Sequence, residues 1–173
     1  TSKELQEKAA RDFVKKMMGR IVFLYFLQKK GWMGCKTKWG QGDENFMRSL
    51  FERASKDSSF YLNYLQPLFF DTLNAKREKE EEDCIINGEN LGKVPFLNGG
   101  LFEREDGHPD NLTLDWDIFD AFFEVLNNYN FTIIEDDPDF KEVAVDPEML
   151  GHIFENLLED NKDKGAFYTP KEI

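Results

Sequence analysis

The residues whose types and spacing could do chemistry lie at the end of the chain, where residues 165–173 read Gly-Ala-Phe-Tyr-Thr-Pro-Lys-Glu-Ile. Thr169 and Glu172 have the spacing of a capping box, and Pro170 stands at the first helical position, so a new helix is predicted to begin here. The N-terminus of a helix presents unpaired amides and the positive end of the helix dipole, which suits a carboxylate or a phosphate. By itself, the pattern favours an ordinary helix start over a binding site.

The sequence lacks the other common catalytic and metal-binding patterns. Its cysteines and histidines stand alone, at Cys35, Cys84, His108 and His152, whereas a zinc site takes three or four ligands, usually in close pairs. There is no Gly-x-Ser-x-Gly, Walker loop or His-Glu-x-x-His. Pro138-Asp139 precedes Glu142, but the lysine that a Mg²⁺-dependent nuclease would need is missing, and an acidic turn is the better interpretation. We therefore predict no metal site and assign no catalytic residue.

Charge and apolar content limit the classes of partner. Lys and Arg total 22, Asp and Glu total 34, and the formal net charge is −12. A protein that tracks phosphates usually shows a basic patch, and the chain as a whole does not, so most of any DNA contact is expected elsewhere. The most apolar run, at residues 21–27, is too short to span a bilayer. Two scattered thiols suit the reducing cytoplasm.

The apolar spacing predicts a mainly α fold. Helical periodicity covers residues 2–30, 46–54, 61–73 and 116–126. Ser2 is predicted to cap the first helix and Gly31 to end it, while Asp115 is the predicted cap of the fourth. Pro67 should kink the third helix or divide it into two short ones.

Strand character appears later, at residues 129–134 and 142–145, and predicts a small antiparallel ribbon. Residues 146–148, Asp-Pro-Glu, mark the start of a further helix. Residues 31–42, with four glycines and two tryptophans, are interpreted as a packed loop, and the charged run 76–83 as a solvated helix end or linker. Residues 94–102 fit either a hairpin turn or a loop whose bare backbone packs closely.

Four stretches of the sequence resemble a known family. Gly-Ala-Phe-Tyr-Thr-Pro at 165–170 is similar to the motif that opens the catalytic domain of amino-group adenine DNA methyltransferases. The others resemble segments of single-chain bacterial restriction-modification enzymes that fuse a nuclease and a methyltransferase. They read RIVFLYFLQKKGW at 20–32, VPFLNGGLF at 94–102 and DPEMLGHIFENLL at 146–158. Similar layouts occur in phage-defence methyltransferases without the nuclease, so an attached nuclease stays open.

The resemblance implies that residues 1–164 are a helical connector domain and that residues 165–173 begin an S-adenosylmethionine-dependent methyltransferase domain. In that family the Thr-Pro turn lies against the methionine end of the cofactor. Tyr168, Thr169 and Pro170 would therefore line the S-adenosylmethionine pocket, with Phe167 as a further candidate. The whole enzyme would methylate the adenine amino group in double-stranded DNA, and the connector would fix the orientation of the catalytic domain.

The departures from the family pattern are equally informative. The glycine-rich cofactor motif and the catalytic Asn/Asp-Pro-Pro-Tyr are absent, so nothing here would hold a flipped adenine. We expect a fragment that is inactive alone. The alternative is a stand-alone acidic protein-interaction module that binds a basic partner, and a third interpretation is a helical domain whose motifs are only caps and core. A helix that starts at Thr169 and stops at Ile173 would be odd in a finished protein, which favours the methyltransferase fragment.

Overall fold

A computed structural model of the chain describes residues 1–76, 83–97 and 100–128, and most of that part is helical. It contains three α-helices, two π-helical segments, one 3-10 turn and a two-stranded antiparallel ribbon. The prediction of a mainly α fold with a small antiparallel ribbon and packed loops is confirmed. Among the described residues, no helix combines the length and apolar character needed to cross a membrane.

Helix α1, Ser2–Lys29, changes character along its length: residues 1–12 are exposed, whereas most of residues 17–28 are buried. Its cap is Thr1, which forms a capping box with Glu4, so the prediction of Ser2 as cap was wrong by one residue. Its end follows the prediction. Gly31 has a φ of +72°, and its amide donates to the Gln28 carbonyl at 2.9 Å, as expected of a glycine that closes a helix.

Helix α2, Phe46–Arg53, packs beside α1 and is tied to it by a side chain. The Met47 amide, one of the unpaired donors at the start of α2, donates to Oε1 of the buried Gln28 at 2.9 Å. The predicted third helix consists of π-helical segments Tyr61–Leu65 and Pro67–Leu73, with Pro67 at the start of the second. Gln66, between the two segments, has helical dihedrals (φ −59°, ψ −51°), so the helix continues into Pro67 and the predicted break into two short helices is not seen.

Helix α3, Trp116–Asn127, starts after Asp115 as predicted, although the Asp115 carboxylate accepts a hydrogen bond from Ser58 Oγ at 3.1 Å instead of capping the helix. Phenylalanine rings from three elements meet beneath it. Their centroids are 4.9 to 6.0 Å apart in the pairs Phe51–Phe60, Phe60–Phe119, Phe51–Phe123 and Phe60–Phe123. These aromatic contacts add to the area burial that stabilises the core.

The antiparallel ribbon consists of β1, Asp83–Ile86, and β2, Glu89–Lys93. Asn87 and Gly88 both have positive φ angles, 54° and 79°, which is the geometry of a two-residue type I′ turn. The strands predicted at 129–134 and 142–145 lie outside the described residues, as does the helix start at 146–148. The hairpin considered for 94–102 is not what the described part shows: β2 ends at Lys93, and a 3-10 turn occupies Gly100–Phe102.

Candidate functional site

The predicted cofactor residues Phe167, Tyr168, Thr169 and Pro170 lie outside the described residues, so their assignment stays a prediction. Two polar regions of the described part have the charges and shape that a site could use. One surrounds Arg20 and His108, and the other is the glycine-rich loop that follows α1. The sequence interpretation singled out neither as functional.

Arg20 is the charged residue at the centre of the first region, and it is only 2% exposed. Its Nε donates to the Leu101 carbonyl at 2.6 Å, and its Nη2 donates to the Glu103 carbonyl at 2.9 Å. The guanidinium carbon also lies 5.3 Å from the ring centroid of Phe70, within cation–π range. Burial lowers the pKa of Arg20, but a guanidinium keeps its proton in proteins. Arg20 therefore joins α1 to the segment around residues 101–103 with a full positive charge.

His108 lies at the edge of the same region. Its Nε2 is 2.9 Å from Gln66 Nε2 and 3.3 Å from the Tyr61 hydroxyl, and its ring centroid is 5.2 Å from that of Phe70. Both neighbouring groups can donate, so Nε2 accepts and the proton sits on Nδ1. Burial, with the Arg104 and Arg20 charges, lowers the pKa of His108. The imidazole is therefore neutral near pH 7.

Two further groups complete what we call the Arg20 clasp: Arg20, Lys16, Glu105 and His108, with the residues they contact. The Lys16 ammonium donates to the Glu105 carboxylate and holds the pKa of that carboxyl below its ordinary value. Burial raises the pKa of Tyr61 to about 12, so its hydroxyl stays protonated. Each group is engaged by another part of the chain, and the arrangement fits a structural fastening better than proton transfer.

A cavity of about 540 Å³ lies between the glycine-rich loop, α2 and the ribbon. Its lining residues are Gly34, Cys35, Lys36, Asp43, Phe46, Leu50, Arg53, Asp83, Asn90, Leu91 and Gly92. The charges are mixed, and Arg53 pairs with Glu89 at the rim. Burial raises the pKa of the Cys35 thiol, so it is a poor nucleophile. Both cysteines are buried thiols that form no disulfide.

What we call the glycine-rich loop, residues 29–42, includes the last residue of α1 and the predicted loop at 31–42, which is folded against itself. The Gly31 carbonyl accepts from the Gly40 amide at 3.0 Å and from the Gly42 amide at 2.8 Å, and the Met33 carbonyl accepts from Asp43 at 2.8 Å. Cys35 also pairs in both directions with Lys93 of β2. The prediction of a packed loop is confirmed for its backbone. Its tryptophans, however, are largely on the surface: Trp32 is 42% exposed and Trp39 is 45% exposed.

Metal binding finds no support in this region. Across residues 1–76, 83–97 and 100–128, no three His, Cys, Asp or Glu side chains are grouped closely enough to hold an ion.

Comparison with known proteins links the chain to one relative. It is 30% identical, over an aligned length of 174 residues, to a "putative type II restriction enzyme and methyltransferase" of Methanocaldococcus jannaschii. The alignment covers 94% of this chain and 14% of that protein, so the chain spans about one seventh of its relative's length. No family model matches the chain, and no solved structure matches it. The chain is thus related to a protein of the restriction-modification kind.

Proposed function

We propose that this chain is part of a DNA restriction-modification enzyme whose whole protein transfers a methyl group from S-adenosylmethionine to the adenine amino group in double-stranded DNA. The observation that carries the proposal is the similarity to the archaeal restriction enzyme and methyltransferase, which runs along 94% of the chain. Four resembling segments in the family's order point the same way. The relative's name includes a restriction activity, so an attached endonuclease is part of the proposal.

Within that enzyme, the chain would act as a connector that holds the catalytic domain in position. The Arg20 clasp supports this role because it joins two of the resembling segments. Arg20 begins the segment at 20–32, and it donates to the Leu101 carbonyl in the segment at 94–102. A buried charge with two carbonyl acceptors fixes both the distance and the orientation of the parts it joins.

The residues that follow the connector, 165–173, would form one wall of the cofactor pocket. The Thr169 hydroxyl and the amides that follow it would donate to the carboxylate of S-adenosylmethionine, with Tyr168, Pro170 and Phe167 packed around its methionine end. S-Adenosylmethionine supplies the methyl group. The groups that hold the flipped adenine belong to a part of the enzyme beyond this chain.

The pocket assignment is tested by S-adenosylmethionine affinity in the full-length protein. Thr169→Ala is expected to weaken binding by about tenfold or more, because one hydrogen bond to a charged group is worth about 1.5 kcal/mol or more. Thr113→Ala, at an exposed threonine before α3, is the matched control. Isothermal titration gives both affinities. Unchanged affinity in both Thr169→Ala and Pro170→Ala would remove these residues from the pocket.

The chemistry is tested separately on the product. Full-length protein is incubated with duplex DNA and radiolabelled S-adenosylmethionine, and the DNA is digested to nucleosides for mass spectrometry. The expected product is N6-methyladenosine in its deoxy form. Label in cytosine would contradict the adenine assignment, and no transfer to any DNA would favour the acidic interaction module instead.

A further inference from the structure

The charge of the chain is unevenly distributed. Residues 13–42 contain no Asp or Glu, although the whole chain has a net charge of −12. The basic residues of this stretch are Lys15, Lys16, Arg20, Lys29, Lys30, Lys36 and Lys38. A net charge calculated over the whole chain therefore conceals a local basic surface.

From Lys29 onward, the lysine side chains of this stretch reach solvent, although Met33 and Cys35 between them are buried. Lys30, Lys36 and Lys38 are exposed, and Lys29 is half-buried. None of these four lysines forms an ion pair with another residue of the described ranges. The two exposed tryptophans lie on the same loop, and the Lys30 ammonium is 5.6 Å from the centroid of the Trp32 ring.

The loop holds these side chains on a fixed backbone. A Cβ added at Gly42 would lie 2.2 Å from the Met33 carbonyl oxygen, so the two backbone strands of the loop are in direct contact. The pairing of Cys35 with Lys93 fastens the loop to β2. Presenting lysines and tryptophans on an ordered backbone reduces the conformational entropy that binding would cost.

We infer that the glycine-rich loop, residues 29–42, is a DNA-binding surface of this protein, on which lysines contact backbone phosphates and Trp32 and Trp39 pack against bases or sugars. The choice of DNA among nucleic acids rests on the proposed function. Lysine contacts with phosphates supply affinity without sequence specificity. Aromatic rings add stacking energy where a base is unstacked, as it must be beside an extruded nucleotide.

The tryptophans favour nucleic acid over an acidic protein as the partner. Acidic side chains would satisfy the lysines but would gain little from two large flat rings. Bases offer those rings a π-face, and phosphates at regular spacing match several separate ammonium groups. The expectation from the overall charge, that most DNA contact lies elsewhere in the enzyme, is compatible with one contact surface here.

The test measures binding of the full-length protein to a fluorescein-labelled 30-base-pair duplex of mixed sequence, by anisotropy between 50 and 200 mM salt. Lys36→Gln combined with Lys38→Gln is expected to raise Kd about tenfold at 100 mM salt. It should also reduce the slope of log K against log salt by about 2, since each lost phosphate contact contributes about 0.9. Trp39→Ala should weaken binding about fivefold or more.

The matched control is Lys3→Gln combined with Lys56→Gln, which removes the same charge from exposed lysines outside the loop. Tryptophan fluorescence gives a second measurement. Duplex DNA should quench the emission of the wild type but not of Trp32→Phe combined with Trp39→Phe, which keeps the half-buried Trp116. Loop variants that bind DNA no more weakly than the control would overturn the inference.

Polyglutamate serves as a probe for the other class of partner, an acidic protein. If it quenches the tryptophans and competes with DNA at equal charge concentration, the loop is a general acidic-partner surface and the inference fails. The methyl-transfer assay separates this result from the proposed function. Loop-dependent DNA binding without adenine methylation would sustain the inference while the proposed activity fails, and methylation with loop-independent binding would do the reverse.

Discussion

The Arg20 clasp and the glycine-rich loop take their basic residues from the same stretch of sequence. In the clasp these residues are bonded to other parts of the fold, whereas in the loop they are exposed to solvent. In the clasp, Arg20 donates to two backbone carbonyls and Lys16 donates to Glu105. In the loop, Lys36 and Lys38 are exposed and have no acidic partner among the described residues. The difference follows from position, since α1 is buried where Arg20 lies, whereas the side chains of Lys36 and Lys38 are exposed on the loop after Gly31.

Burial makes the first kind of charge costly to disturb. A guanidinium removed from water must keep its acceptors, because an unpaired buried charge or carbonyl costs more than the hydrogen bond contributes. Exposed lysines carry no such penalty, and deleting one changes stability by about 0.5 kcal/mol or less. The clasp should therefore respond to mutation in stability, and the loop in binding.

The largest expected effect comes from Arg20→Met, which keeps the length of the side chain but removes its charge and donors. We expect the free energy of unfolding to fall by about 2–4 kcal/mol, because the buried Arg20 side chain loses two part-buried, charge-assisted hydrogen bonds to the Leu101 and Glu103 carbonyls. Urea unfolding measures it. Lys38→Met is the matched control, and Arg20→Lys should fall between them because it retains charge without the guanidinium fork.

Equal unfolding midpoints for Arg20→Met and Lys38→Met would contradict the proposed difference between the clasp and the loop. That result would mean that the clasp charge is no more involved in the fold than the loop charge. DNA affinity tests the converse. Lys38→Met should bind DNA more weakly than the wild type, whereas folded Arg20→Met should bind DNA with wild-type affinity.

Gly42→Ala is expected to have the second-largest effect, and it tests whether the loop is ordered by its backbone. The added methyl would meet the Met33 carbonyl oxygen at 2.2 Å and the Gly31 carbonyl oxygen at 2.8 Å. Relieving such overpacking costs about 1–3 kcal/mol. Gly100→Ala is the control, because a Cβ there meets nothing within 4 Å and its φ is not positive. Thermal unfolding of the pair measures the difference, and equal midpoints would show that the loop adapts freely.

Helices α2 and α3 were predictable because each buries one face, and apolar spacing reports that face directly, whereas the second half of α1 is buried on nearly all sides and shows as a continuous apolar run. The ribbon at residues 83–93 was not predicted although its signal was present: Asn87-Gly88 follows Ile85-Ile86, and an Asn-Gly pair next to apolar residues is the strongest short hairpin pattern. The strands predicted at 129–134 and 142–145 stay predictions. The charged run at 76–83 favours a linker over a strand, yet β1 begins at the last residue of that run, Asp83.

The Arg20 clasp could not be predicted in the same way. Arg20 donates to carbonyls that lie 81 and 83 residues away along the chain. Since every residue has a backbone carbonyl, the residue types do not indicate which ones accept. His108 stood alone in the sequence, and its neighbours Tyr61 and Gln66 come from a different element. The basic loop differs, because its lack of acidic residues is visible in the sequence once charge is read locally.

The smallest expected effect is a pH dependence of stability that comes from His108, which belongs to the clasp and not to the loop. Its folded-state pKa lies below the ordinary value of 6.5, so the unfolded chain binds the proton first. Stability is therefore present above pH 6.5 and falls as the pH drops through that value toward the folded-state pKa. The carboxyl of Glu105 also has a lowered pKa and loses its contribution only at lower pH, through its ordinary 4.5. Solvent reaches this histidine, so the loss should stay below about 1 kcal/mol.

Thermal unfolding between pH 7.5 and 5.5 isolates this contribution. His108→Gln removes the titrating group while an amide can still meet Tyr61 or Gln66, so its unfolding temperature should vary less with pH than that of the wild type. Lys38→Gln removes a charge from the loop instead, and it should keep the wild-type pH dependence. If His108→Gln kept that dependence too, the neutral imidazole would have no special place in the clasp. The polar contacts between α1 and residues 101–108 would then come from Arg20 and Lys16, beside the ring contact of Phe23 with Phe102.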